Sequence, residues 1–259
     1  MKPPVSIHWR GSKRRLLKYI LPLIGPHVCY CEPFAGSLAL LLAKPPSRLE
    51  VINDINQDLI GFYLCVKYHA GELGREVQGM LGSRALFQAF RASPGLTQIQ
   101  RAARFFYRQQ ASFGANGHSF GVCKTAKRTA FFDAPAMEVV FKGLADRLRA
   151  VTIECLPYDH LLRNQDAPET LFFCDPPYIG GDCGTYEAWS EDQTAEFATR
   201  IRGLRGQWIC TLGDSPFVRR LFSGYRIIAV QTQNQGRNTL LGGAKTFGEV
   251  IILSNGLKG

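Results

Sequence analysis

Two short apolar runs, residues 28–31 and 49–52, are separated by a stretch with helical spacing, and each runs straight into an acidic turn. The first closes on Glu32-Pro33-Phe34-Ala35-Gly36. The second closes on Asn53-Asp54, with a helix expected from about Asn56 to Tyr68. A strand, a covering helix and a second strand commit a chain to a parallel sheet, because a tight hairpin can only join antiparallel neighbours. Later runs at 151–155, 171–174, 208–212, 225–230 and 247–253 read as further strands, and residues 191–204 and 216–222 as helices. Between the two sets, residues 70–150 hold helical stretches and no strand pairs. The expected architecture is α/β, with residues 1–69 and 151–259 building the sheet and residues 70–150 forming an inserted, mainly helical domain. Two smaller helices are expected. One spans residues 12–24 and is bent by Pro22, and the other spans residues 37–43 with Ser37 as its N-cap.

Composition narrows what such a fold can serve. With 259 residues, 46% of them hydrophobic, the chain can bury a sizeable core. No apolar stretch approaches the length of a membrane span, and the amino terminus lacks the apolar centre of a secretory leader. A soluble, cytoplasmic protein is expected. Lys plus Arg number 31 against 21 Asp plus Glu, a formal charge of +10 that favours a polyanionic partner. None of the eight cysteines forms a C-x-x-C pair, and Cys29, Cys65, Cys155, Cys174 and Cys210 lie in apolar segments. They read as small buried hydrophobes, and the five scattered histidines supply no metal-ligand spacing, so no metal is expected.

The sharpest local signal is Asp175-Pro176-Pro177-Tyr178, directly after Leu171-Phe172-Phe173-Cys174. Two prolines stop a buried strand abruptly, leaving a carboxylate, a carbonyl and a flat ring at its carboxyl end, where open α/β sheets bind ligands. That set suits a planar amino group on a nucleobase edge. Gly36, after the first strand, lets a ligand approach the backbone, although the surrounding sequence is not the G-x-G-x-x-G of dinucleotide enzymes. Asp54 reads equally as an acid for ribose hydroxyls or as a helix cap. In the insertion, Arg101, Arg104 and Arg108 share one helix face, which reads as a solvated stripe or a phosphate-contacting surface. The loop carrying Asn116, Gly117 and His118, and the cluster Lys124, Lys127 and Arg128, favour the second reading. Near the carboxyl end, Gln235-Gly236-Arg237-Asn238 and Lys245 form a polar loop that either touches nucleic acid or is a plain hairpin.

The order of these pieces resembles the Dam-type DNA adenine-N6 methyltransferases. Trp9-Arg10-Gly11-Ser12-Lys13 is similar to the family's W-x-G-G-K, with Ser12 at its second glycine. Residues 32–36 resemble E-P-F-x-G, residues 54–60 resemble D-I-N-x-D-L-I, and residues 175–178 match D-P-P-Y without change. Tyr158-Asp159 stands at an acidic position ahead of the catalytic strand. The resemblance implies a Rossmann-like sheet using S-adenosylmethionine, with no metal. It implies a cofactor pocket lined by Trp9, Gly11, Lys13, Glu32, Pro33, Phe34, Gly36, Asp54, Asp159 and Asp175, and catalysis by Asp175, Pro176, Pro177 and Tyr178.

By the same resemblance, Asp175 and the Pro176 carbonyl each accept one N–H of an adenine amine, freeing its lone pair to attack a methyl group. The base must first leave the duplex. The loop at residues 113–120 resembles the family's Y-G-Y-N-G loop, but Ala115 replaces the second aromatic, which argues against the usual GATC site. A bacterial or phage enzyme follows, monomeric, with a cognate restriction endonuclease as a compatible partner. The alternatives are a cytosine-N4 or RNA methyltransferase of the same architecture, or an inactive nucleic-acid-binding relative.

Overall fold

The computed structural model describes residues 7–121, 137–180, 186–233 and 246–257. In chain order its elements are α1 (Leu17–Ile20), β1 (Cys29–Glu32), α2 (Ala39–Ala43), β2 (Leu49–Asn53), α3 (Gln57–Gln78), α4 (Arg84–Ala92), α5 (Gln98–Ala111) and α6 (Met137–Leu148). Then follow β3 (Thr152–Glu154), α7 (Tyr158–Gln165), β4 (Thr170–Cys174), α8 (Glu191–Arg202), β5 (Gln207–Gly213), α9 (Pro216–Leu221), β6 (Arg226–Gln233) and β7 (Thr246–Leu253).

The strands form one sheet in the order β3-β2-β1-β4-β5-β7-β6. All neighbours run parallel except β7, which is antiparallel to both β5 and β6. The chain winds outward from β1 in one direction and from β4 in the other. The strand order therefore reverses between β1 and β4, where open sheets leave a crevice at their carboxyl ends. The turns after β1 and β4 meet there, and they carry Glu32 and Asp175. Period-2 alternation sorts each strand between two cores: Leu171, Phe173 and Ile209 face one side, and Phe172, Cys174, Trp208 and Cys210 face the other.

Several expectations are revised at their ends. Residues 12–24 are a single turn of α-helix, α1, between two short 3₁₀ turns, with Pro22 in the first turn of the second. Proline is tolerated there because that N–H needs no partner. Ser37 does not cap α2. Leu38 does so in a left-handed conformation, φ 56°, while the Ser37 hydroxyl is 2.8 Å from that of Ser12. Asn56 is the N-cap of α3, accepting from Leu59 N. Cys155 is exposed, since β3 is an edge strand, whereas Cys29, Cys31, Cys65, Cys174 and Cys210 are buried.

Helix α3 is longer than its apolar spacing suggested, running past residue 69 to Gln78 with one break in helical geometry at His69, φ −136° and ψ 34°. Both of its halves are held by tertiary packing, the distal one through buried Leu73 and Val77. Phe62 stacks on Phe106 of α5 at 5.6 Å, and Phe141 of α6 meets both rings edge-on. Gly74 allows a close crossing, because a Cβ there would lie 2.4 Å from the Glu138 Cα. Parts of α5 and α6 thus belong to the same core as Ile52 of β2. A small separate cluster, Phe87, Tyr107 and Ala111, lies under α4.

Candidate active site at the carboxyl edge of the sheet

Asp175 stands one residue past β4. Its Oδ1 accepts from the Thr211 hydroxyl at 2.7 Å and pairs with Lys13 Nζ at 2.7 Å. Lys13 is only 7% exposed, which is rare for an ammonium and tolerable only because it is paired. It also donates to Gly11 O at 2.7 Å and lies 4.9 Å from the centre of the Tyr178 ring. Among the described residues, no hydrogen bond reaches Oδ2 of Asp175. The Tyr178 hydroxyl lies 3.3 Å from Glu249 Oε2. Burial, then the carboxylates of Asp175 and Glu249, push this phenol well above its usual range, so it stays neutral. Burial likewise raises the thiols of Cys174 and Cys210, so neither supplies a thiolate beside the carboxylate.

The turn after β1 is braced from beneath. Glu32 is buried, and its Oε1 accepts from the Tyr30 hydroxyl at 2.7 Å and from Leu41 N at 2.9 Å, tying β1 to α2. Burial raises its carboxyl to about 7, against the lowering pull of those two donors and of Lys44. Gly36 has φ +44°, and a Cβ there would come within 3.1 Å of the Trp9 ring. Its carbonyl accepts from Tyr63 at 2.6 Å and its N–H donates to Asp54 Oδ2 at 3.2 Å. Asp54 Oδ1 accepts from Asn56 N and, at 2.6 Å, from the Tyr186 hydroxyl. Burial raises this carboxyl from its ordinary value, and the three donors pull it back. Trp9 lies against Tyr186 and Phe105, each 6.1 Å between ring centres.

On the other side of Phe34 the rings of Tyr158, Trp189 and Phe197 pack within 5.5–5.8 Å of it. Asp159, one residue on, is not brought to this group. It pairs with Arg163 at 2.9 Å, an i, i+4 partner on α7; desolvation pushes its carboxyl up, but the Arg163 hydrogen bond and the charges of His160, Arg163 and Arg200 together hold it below its usual range. It lines a groove between α7 and α8 that Arg200 also borders.

The structure places Trp9, Gly11, Lys13, Glu32, Pro33, Phe34, Gly36, Asp54 and Asp175–Tyr178 at the carboxyl edge of the sheet, linked by the contacts above. It also adds residues that sequence reading missed. Asn53 is the clearest: buried, it donates to Pro33 O and Leu156 O and accepts from Leu156 N, locking the turns after β1, β2 and β3 together. Thr211, Tyr186 and Trp189 were also missed. The β4–β5 pairing could have found Thr211, since Cys174 lies beside Cys210 and the next step sets Asp175 beside Thr211.

The basic stripe of α5 behaves differently from the reading of a single free face. Arg101 donates to Gly95 O and Leu96 O, and Arg104 donates to Ser93 O, so two of the three side chains hold the α4–α5 connection. Arg108 reaches Asp58 at 3.4 Å. Asn116 Oδ1 accepts from the backbone N–H groups of His118 and Ser119, and Gly117 N donates to the Ser112 hydroxyl. Lys124, Lys127, Arg128, Gln235, Gly236, Arg237, Asn238 and Lys245 lie outside the described residues. Among the described residues, no group of acids, histidines and cysteines could hold a metal, and no helix is long and apolar enough to cross a membrane.

Residues 9–235 match the family described as D12 class N6 adenine-specific DNA methyltransferase. The retron Ec67 DNA adenine methylase of Escherichia coli is 25% identical over 276 aligned positions, covering 96% of this chain and 90% of that protein. The DNA adenine methylase of Escherichia coli strain K12 is 27% identical over 186 positions, 66% of this chain and 64% of that protein. The type II methyltransferase M1.LlaDCHI of Lactococcus lactis subsp. cremoris is 23% identical, with 96% and 94% covered.

Proposed function

The chain belongs to the D12 class N6 adenine-specific DNA methyltransferases, and from that premise we propose which of its residues carry the reaction. Methyltransferases of this family draw on S-adenosylmethionine, which supplies an electrophilic methyl group when bound. The crevice between β1 and β4 has a donor set that fits it. Gly36 leaves room a side chain would fill, Trp9 and Phe34 offer flat faces, and Asp54 already accepts a hydroxyl of the kind a ribose presents. Trp9, Phe34, Gly36 and Asp54 hold the cofactor directly. Gly11 and Pro33 shape the backbone there, and Glu32 supports the turn from beneath. Asp159 is the least supported of the expected contacts, because its carboxylate already has Arg163.

Asp175 acts on the target base. With Oδ1 held by Thr211 and Lys13, Oδ2 is the oxygen left to accept one N–H of the extruded adenine's amine, and the Pro176 carbonyl accepts the other. Two acceptors draw the nitrogen toward tetrahedral geometry and free its lone pair. Positive charge grows on that nitrogen as the bond forms, and the adjacent carboxylate stabilises it. Pro177 keeps the turn rigid, and Tyr178, neutral and supported by Glu249, offers a stacking face. The single observation that carries this reading is the Asp175 carboxylate at the sheet's switch point, bonded among the described residues at Oδ1 alone.

Residues 70–150 are the part that reads DNA, with Arg101, Arg104, Arg108, the loop at Asn116, Gly117 and His118, and Lys124, Lys127 and Arg128 as its contacts. The enzyme acts as a monomer in the cytoplasm, and a cognate restriction endonuclease fits the type II designation of the lactococcal relative. Expression in cells lacking adenine methylation, followed by modification-sensitive long-read sequencing, tests the proposal. N6-methyladenine at a defined or relaxed set of sites is expected. Unmodified DNA, or N4-methylcytosine in its place, would overturn it.

A further inference from the structure

We infer that Thr211 is a positioning residue for methyl transfer: its hydroxyl aims the Asp175 carboxylate so that Oδ2 faces the target amine. The inference rests on the reading of Asp175 just given and goes beyond it, because Thr211 touches neither base nor cofactor in that scheme. An aspartate's last torsion is broad and roughly two-fold, so a carboxylate one residue past a strand needs an outside partner to fix which oxygen points where. Two donors reach Oδ1, and they differ in stiffness. Lys13 comes from a 3₁₀ turn on a side chain with four rotatable bonds. Thr211 is β-branched, fully buried, and set within β5 where it pairs with Ile251 of β7, so its hydroxyl has little freedom.

The pairing of β4 with β5 delivers this contact without any loop. Cys174 and Cys210 are side by side, and one residue further the Thr211 hydroxyl meets the Asp175 carboxylate at 2.7 Å. Removing the hydroxyl would leave Oδ1 on the flexible ammonium alone. The carboxylate could then turn, and a small misorientation at a reacting group is costly to rate while barely affecting affinity.

The test compares Thr211→Val, Thr211→Ser and Asp175→Asn with the unaltered chain. Each is measured by single-turnover methyl transfer to a duplex that the unaltered enzyme modifies, with S-adenosylmethionine and DNA both saturating. Thr211→Val is expected to slow transfer about 10- to 100-fold. The Kd values for S-adenosylmethionine and duplex should stay within about twofold, and Thr211→Ser should recover the rate to within about threefold. A Thr211→Val rate equal to that of the unaltered chain, or a Thr211→Ser variant as slow as Thr211→Val, overturns the inference. Near-normal turnover by Asp175→Asn overturns instead the reading on which it rests. If Thr211→Val does not fold, Thr211→Ala against Thr211→Ser at low temperature makes the same comparison, with equal rates as the refuting outcome.

Discussion

The carboxyl edge of the sheet and the α4–α5 region both carry polar side chains with satisfied hydrogen bonds, yet they use them in opposite ways. At the sheet edge, Asp54, Glu32, Asn53 and Thr211 are buried and bond across distant parts of the chain. Around α4 and α5, Arg101, Arg104 and Asn116 are bonded to carbonyls and amides of the loops adjoining their own elements, at the surface. Buried bonds across elements fix one geometry, since breaking any one leaves a desolvated group without a partner. Exposed local bonds shape a loop and can be exchanged for water or phosphate at little cost. A rigid sheet edge and an exchangeable surface are thus built from the same kinds of residue.

The largest effect that would sharpen this contrast is at Asp175. Asp175→Ala should lower methyl transfer by about a thousandfold or more, the scale of losing a group aimed at developing charge, while the circular dichroism stays close to that of the unaltered chain and the thermal midpoint falls because buried Lys13 loses its partner. Retained turnover would break the assignment of chemistry to this edge.

Next comes Glu32. Its folded carboxyl titrates at about 7, above its unfolded value, so the protonated form is favoured by folding. The stability it contributes is whole below the unfolded pKa and is lost as pH rises through 7. With a shift of this size the loss approaches about 3 kcal/mol, and Glu32→Gln should flatten that part of the urea-unfolding profile between pH 5 and 8. A parallel decline in both proteins would show that Glu32 is not the titrating group.

Smaller effects are expected at the surface. Arg101→Ala or Arg104→Ala should weaken duplex binding only about two- to fivefold, and each should lower the slope of log affinity against log salt by about one if it meets a phosphate. An unchanged slope would leave these arginines as staples for the α4–α5 connection. Asn116→Ala should cost under about 1 kcal/mol in stability, because every bond it makes is exposed. Its effect should instead be on which sites are modified, read by sequencing.

The sequence was most informative where a side chain's role follows from its own strand. β1, β2 and β4 and the acids that end them were legible because apolar runs stop sharply at Glu32, Asp54 and Asp175, and proline cannot continue a central strand. Partners set by other elements were not legible. Nothing local to Thr211 marks it, and Asn53 looks like an ordinary turn residue until three loops converge on it. The arginines of α5 show the reverse error of scale. Their spacing was right, but the carbonyls that Arg101 and Arg104 hold belong to a connection whose path no periodicity describes. Helix α3 ran longer than its own spacing suggested because Leu73 and Val77 of its distal half join the core and Gly74 seats it against Glu138 of α6, beyond the range of local propensity.

That long helix has a consequence for how the protein can evolve. At 22 residues it is about 33 Å of strut with a single break at His69, rooted at Asn56 beside Asp54 and ending against α6. Lengthening the connection between α4 and α5 leaves the strut in phase. One extra residue inside α3 would turn everything beyond it by roughly 100° and drive Gly74 off its seat on Glu138, so the length of this one element is the dimension that lineages of the enzyme are least free to alter.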